Sequence, residues 1–326
     1  MKWNARVFPA ALAAVAAIML PARPAARQTH QTGPAQSFQS AVSLVALNVT
    51  VQGGKAQYVD GLRPEDFVVY EDGVKQDVRF FEAASLPIDL IVLLDTSRSM
   101  SDKLKIAQRA ARGFLETLRS GDRGAVITFN QTVTVQVPLT GDRDALDQAV
   151  DSTVADGDTA LHTALYIALK QFGMSVRTDG AVRRQAITVL SDGEDTASLV
   201  SFDDVLELAR QTGVNVYTVR VQPKNVIRDT DPRMQRAASQ ADYELKALAR
   251  ETGALSFFPQ PEQLNGVYAT IAKELASQYS IGYEPARGGS DGRFRRVQVQ
   301  VVSRPELRAR TRAGYTAESA HATTVR

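Results

Sequence analysis

The pattern of apolar and polar positions changes character at Pro87. Upstream, apolar residues alternate with polar ones. The run 42-VSLVALNVTV-51 reads as a strand leading into Gly53-Gly54, a hairpin-type turn, before a second short strand, 55-KAQYV-59. Two more strand-like runs lie in 66-DFVVYEDGVKQDVRFFEA-83, around the turn signal Asp72-Gly73. Beyond Pro87 the strands become continuous apolar runs separated by helical stretches. Strands are predicted at 88-IDLIVLL-94, 124-GAVITF-129, 132-TVTVQV-137, 186-AITVLS-191, 214-VNVYTV-219 and 254-ALSFF-258. Leu104, Ala107, Ala111, Phe114, Leu115 and Leu118 share one helix face, and further helices are predicted over about 142–152, 159–173, 203–212, 242–252 and 262–277. β character returns in 278-QYSIGY-283, 294-FRRVQVQVV-302 and 306-ELRART-311.

Strands separated by helices imply right-handed βαβ crossovers. The fold class is therefore α/β, a doubly wound and mostly parallel sheet with helices on both faces. The 124–137 hairpin adds an antiparallel edge strand. The β segments on either side are expected to meet in one small β domain, because the ends of a domain often lie close together. The expected organisation is a signal peptide at 1–26, a linker at 27–40, an N-terminal β segment at 41–86, the α/β domain at 87–277, a C-terminal β segment at 278–316 and a tail at 317–326. The stretch 223–244 is longer than a usual βα loop and reads either as a surface insertion or as a loop that shapes partner choice.

Composition narrows the chemistry. The 326 residues are 44% hydrophobic and include no cysteine, so a core is available while disulfides, thiolate metal sites and thiol catalysis are excluded. Lys2 and Arg6, the apolar run 7-VFPAALAAVAAIML-20 and the small residues of 21-PARPAA-26 follow the order of a secretory signal peptide. The expected protein is exported, periplasmic or secreted, with no membrane-spanning segment after cleavage. Cleavage removes three of the 38 basic residues and none of the 36 acidic ones, so the mature chain is near neutral and is not expected to bind nucleic acid. The C-terminal arginines, which alternate in places with apolar residues, read as the wet face of strands.

In a parallel sheet, ligands bind outside the carboxyl ends of the strands. The strand 88–94 runs into Asp95, and the strand 186–191 runs into Asp192. Two carboxylates at one rim repel, and a cation between them relieves that repulsion. Ser97 and Ser99 add hydroxyl oxygens, and an all-oxygen set suits a hard cation such as Mg²⁺, Mn²⁺ or Ca²⁺. Structural alternatives exist for each residue. Asp95, Ser97 and Ser99 could cap the following helix, Thr159 could cap the next one, and Asp192-Gly193 could be a plain turn. Glu194 and Asp195 read as a solvated loop and His162 as a helix-surface residue.

The segment Asp95-Thr96-Ser97-Arg98-Ser99-Met100 resembles the DxSxS motif of von Willebrand factor type A domains. Thr159 in 156-DGDTALHTAL-165 and Asp192 in 191-SDGED-195 match the family's two later elements in order and spacing. The resemblance covers about residues 87–277. The flanks, 61-GLRPEDFVVYEDGVKQDVRFFE-82, 278-QYSIGYEP-285 and 314-GY-315, resemble the VWFA-related Acidobacterial domain family. This resemblance implies a metal-ion-dependent adhesion site. In it Asp95, Ser97, Ser99 and Thr159 supply oxygens directly or through water, Asp192 acts through water, and the cation, Mg²⁺ first, takes an Asp or Glu carboxylate of a protein partner. It implies binding without turnover. Arg98 and Asp158 stand where the family commonly has glycine. An arginine beside a cation is unfavourable unless it turns to solvent or to an incoming acid.

Rival readings are a scaffold module of an envelope complex with an unused metal site and partners on the β segments, or an Mg²⁺-dependent hydrolase. A haloacid-dehalogenase-type phosphatase needs a second aspartate where Ser97 stands. A serine hydrolase using Ser97 or Ser99 with His162 lacks a G-x-S-x-G elbow. Neither dinucleotide nor nucleoside triphosphate loops occur in the sequence. The expectation is an exported binding protein and not an enzyme.

Overall fold

In the computed structural model, residues 44–54, 57–84, 86–174, 182–192, 194–222, 232–286 and 291–317 are described. The expected signal peptide and linker, the 223–231 part of the long loop and the tail beyond Ala317 lie outside them. The N-terminal alternation becomes β1 (Val45–Gln52), β2 (Phe67–Glu71), β3 (Val74–Gln76) and β4 (Val78–Ala83). Residues 55 and 56 of the expected strand at 55–59 lie outside the described residues, and 57–59 form no strand. Among the described residues of that stretch, Tyr58 makes a single antiparallel bridge with Gln52.

The central run gives β5 (Ile88–Asp95), α1 (Leu104–Leu115), β6 (Arg123–Phe129), β7 (Val133–Thr140), α2 (Arg143–Asp151), α3 (Leu161–Met174), β8 (Arg184–Ser191), α4 (Phe202–Thr212), β9 (Asn215–Arg220), α5 (Pro232–Glu251), β10 (Ser256–Phe257) and α6 (Leu264–Ala276). Helix α5 starts at Pro232, so the C-terminal half of the expected long loop is helical. Proline at a first helical position is tolerated because its missing N–H would have no intrahelical partner there. The six strands order as β10-β9-β8-β5-β6-β7, parallel throughout except for β7, the antiparallel edge.

Every residue of β5 is buried, and its side chains serve two cores because successive residues point to opposite faces. Leu90, Val92 and Leu94 pack with α1, α2 and α6, whereas Ile91 and Leu93 pack with α3, α4 and α5. This is the expected doubly wound, mostly parallel α/β fold, with helices on both faces. From β5 the chain first adds β6 on one side and later β8 on the other. The rim between β5 and β8 is consequently a topological switch point, where the loops diverge and leave a crevice. No helix among the described residues is long and apolar enough to cross a membrane.

The C-terminal segment gives β11 (Tyr279–Tyr283), β12 (Phe294–Val301), β13 (Arg308–Arg310) and β14 (Gly314–Thr316). These pair with the N-terminal strands in two four-stranded sheets, β13-β1-β11-β4 and β14-β12-β2-β3. Val45, Leu47, Val49, Tyr279 and Ile281 of one sheet share a core with Phe67, Val69, Val297 and Val299 of the other. The flanking segments therefore complete each other, strand by strand. The arginines of this module do not all face water as expected. Arg295 is 6% exposed on β12 and lies 3.3 Å from Glu71, and Arg310 lies 2.7 Å from the fully buried Glu274 of α6.

Candidate metal centre

β5 delivers Asp95 to the rim with no exposed surface. Its neighbour is set by register: Leu94 pairs with Leu190, so the next residue of β8, Ser191, stands beside the Asp95 carboxylate. Ser191 Oγ donates to Asp95 Oδ2 at 2.5 Å, and the Ser97 amide donates to Oδ1 at 2.8 Å. Burial pushes the Asp95 carboxyl up to about 6; the hydrogen bonds from Ser191 and Ser97 hold it down in part, and the Asp192 charge adds to the rise. Among the described residues no basic side chain pairs with it.

From Asp95 the polar chain continues outward. Ser97 Oγ and Ser99 Oγ lie 3.0 Å apart, and Ser99 Oγ donates to Asp192 Oδ1 at 2.7 Å. These hydroxyls do not cap α1. Its N-cap is Lys103, which makes no side-chain capping bond, and the 3-10 turn Arg98–Met100 has none from Ser97. Helix capping therefore does not explain the serines.

Thr159 is brought to the same rim through its backbone. The Arg98 amide donates to the Gly157 carbonyl at 2.9 Å and the Asp156 amide to the Thr96 carbonyl at 2.8 Å, fastening the 156–159 loop to the 96–98 loop. Gly157 has φ 79°, a left-handed conformation that favours glycine at this approach of the two loops. The Thr159 carbonyl accepts from the Thr196 and Ala197 amides, tying the loop to the segment after Asp192. Among the described residues, hydrogen bonds join Asp95, Ser97, Ser99 and Asp192 through adjacent partners, while the Thr159 hydroxyl makes none to them.

The first-turn amides of α3 are capped from elsewhere. His162 N–H donates to Asp195 Oδ1 at 3.2 Å and Thr163 N–H to Ser198 Oγ at 2.9 Å. Asp195 is thus not a solvated loop residue. His162 is not a surface residue either: its side chain is 12% exposed, with Nε2 3.1 Å from Glu244 and Nδ1 3.6 Å from Asp195. The two carboxylates flank opposite ring nitrogens, so the cluster holds the post-β8 loop to α3 and α5. Arg98 resolves as the favourable case: its side chain is 80% exposed and turned to solvent, 3.4 Å from Asp156.

Two further residues at the rim carry no motif signal. Ser191 is one. The other is Lys103, whose Nζ donates to Asp192 Oδ2 at 2.6 Å, to the Ser99 carbonyl at 2.8 Å and to Asp102 Oδ1 at 3.1 Å. Burial acts to lower the Lys103 ammonium, but the hydrogen bonds and charges of Asp192 and Asp102 outweigh it and hold the group above its ordinary range. No cluster of three His, Asp or Glu side chains able to hold a metal occurs among the described residues. The rim's donor set is instead two carboxylates with hydroxyl oxygens, a chemistry that fits a hard divalent cation.

The model of the von Willebrand factor type A domain matches residues 89–268. A UPF0353 protein of Mycobacterium marinum is 26% identical over 263 residues, covering 74% of this chain and 74% of its own. Among solved structures, a von Willebrand factor type A protein from Catenulispora acidiphila is 14% identical, with a TM-score of 0.47, over 88% of this chain and 78% of that one. The vWF domain of the type V pili tip protein Mfa5 from Porphyromonas gingivalis is 14% identical, with a TM-score of 0.46, over 58% of this chain and 94% of that one.

Proposed function

The chain belongs to the von Willebrand factor type A domain family, and from that premise we propose an exported binding protein that captures an acidic group of a protein partner at the β5–β8 rim. Asp95, Ser97, Ser99, Thr159 and Asp192 would hold a divalent cation, Mg²⁺ first and Mn²⁺ or Ca²⁺ as alternatives, which when bound supplies a Lewis-acidic position for a partner's Asp or Glu carboxylate. The observation that carries the reading is the continuous hydrogen-bonded path from Asp95 through Ser97 and Ser99 to Asp192.

The chain's own residues prepare the site. Ser191 and the Ser97 amide orient Asp95. The Gly157 and Thr96 carbonyls hold the threonine loop against the serine loop. Arg98, exposed at the rim, can meet an arriving carboxylate before it docks and raise its encounter rate. In this reading the rim binds a partner's carboxylate and does not turn it over.

One observation favours a second reading, a scaffold module whose metal site is unused and whose partners dock on the β segments. Lys103 already gives Asp192 a positive neighbour. A pull-down from the cell envelope with the mature protein separates the two. Capture by the wild type in Mg²⁺, lost in EDTA and lost in Asp95→Ala, supports the metal-mediated reading. Capture that survives both treatments supports the scaffold and refutes the metal's role.

A further inference from the structure

Lys103 occupies an improbable place for a lysine. It is the N-cap of α1, where the helix dipole presents positive charge, and the first turn carries no acidic residue to balance it. A lysine on this helix end is ordinarily solvated, yet the Lys103 side chain is only 11% exposed and the Asp192 side chain it touches only 5%. Its ammonium has three donors, and all three are used: Asp192 Oδ2, the Ser99 carbonyl and Asp102 Oδ1. Two of those acceptors belong to the candidate metal centre or to its backbone. Asp192 is therefore divided between Ser99 Oγ on one oxygen and Lys103 on the other.

We propose that Lys103 is a tethered internal cation that competes with a divalent ion for Asp192 and sets how tightly the rim binds metal. The inference rests on the reading of the rim as a cation site. Two consequences follow from charge alone. Without metal, Lys103 neutralises Asp192 and keeps it bonded to Ser99, so the rim stays assembled despite the nearby Asp95 carboxylate. With metal, the ammonium would share Asp192 with a second positive charge, and their repulsion would favour its release of Oδ2. It can do so cheaply, because the Ser99 carbonyl and the 77% exposed Asp102 carboxylate remain within its reach.

The test is titration of the mature protein with Mn²⁺ alone, followed by calorimetry and by electron paramagnetic resonance of the free ion. Lys103→Met removes the charge and keeps the stem; Lys103→Gln removes the charge and keeps a donor for Asp192. The expected result is Mn²⁺ binding at least about tenfold tighter in both variants than in the wild type, with a melting temperature lowered in EDTA and restored by Mn²⁺. Circular dichroism verifies folding, and Lys103→Gln carries the test if Lys103→Met does not fold. Binding equal to or weaker than wild type in the folded variants overturns the role of Lys103 and leaves the rim as a metal site. Asp95→Ala in the Lys103→Gln background distinguishes the other failure. Mn²⁺ affinity unchanged by that substitution, or absent from every chain, overturns the metal centre itself and the competition with it.

Discussion

Asp95 and Glu274 are both fully buried, yet the protein treats the two carboxylates in opposite ways. Glu274, on α6, accepts from Tyr217 Oη at 2.8 Å and Tyr58 Oη at 3.0 Å, and Arg310 lies 2.7 Å away. Glu71 repeats the arrangement in the β module, with Tyr283 and Tyr315 donating at 2.7 and 2.9 Å and Arg295 at 3.3 Å. Each structural carboxylate has an arginine of its own and tyrosines whose hydroxyls burial and the neighbouring glutamate push well above their usual range. Asp95 has donors but no arginine. A buried charge left without a counter-charge is costly, and folds tolerate it where an external cation or ligand completes the site. The difference separates two carboxylates neutralised inside the chain, Glu274 between the α/β unit and the β module and Glu71 within the β module, from one that has hydrogen-bond donors but no internal counter-charge.

The largest effect expected from breaking this contrast is at the closed cluster. Glu274→Ala leaves Arg310, Tyr58 and Tyr217 without their acceptor and should destabilise the protein by about 3–5 kcal/mol, read as a fall in the denaturant midpoint with the slope unchanged. The open site should respond with the opposite sign. Asp95→Asn, melted in EDTA at pH 7, should stabilise by about 1–3 kcal/mol while abolishing Mn²⁺ binding. The sign follows from the raised carboxyl: in the folded state the ionised form is disfavoured, so the burden on the wild type is full above about 6 and disappears as pH falls below the ordinary value of 3.8. The advantage of Asn should shrink over the same window. An Asn variant less stable than wild type at pH 7 would mean that Asp95 is a structural carboxylate like Glu274. The smallest effect is at the surface. Arg98→Gly should change stability by no more than about 0.5 kcal/mol, since its pair with Asp156 is exposed on both sides. It should instead slow capture of an acidic partner, with the loss fading at high salt.

Much of this was legible along the chain. The strand ends bearing Asp95 and Asp192, the serines two residues apart and the threonine loop are short-range patterns, and a parallel sheet dictates that its strand ends share a rim. The β5 side chains alternate between two helix layers because they must, once both faces of the sheet are covered. What local pattern does not reveal depends on separation in sequence. Ser191 matters through the β5–β8 register, 96 residues from Asp95. Lys103 matters through an ion pair spanning 89 residues. His162, whose place on a helix predicts a surface position, is covered by Glu244 from 82 residues away, on a helix that begins ten residues before the predicted 242–252 span. Arg295 stands in phase with Val297, Val299 and Val301 on the buried face of β12, and it and Arg310 each meet a buried glutamate contributed by a distant segment.

The sequence alone determined the elements and their order, because hydrophobic period and turn chemistry are local properties of the backbone. It also determined the oxygen chemistry available at the rim, because Asp95, Ser97 and Ser99 sit on one loop at the end of one strand. Only the tertiary structure decided that two half-domains of β strands complete one another across the α/β unit, since each half alone has too few strands to bury its face. Only the tertiary structure decided which charges are neutralised within the chain. An ion pair forms where folding brings two side chains within a few ångströms and shields them from water, and neither distance nor shielding is written in the spacing of residues along the chain.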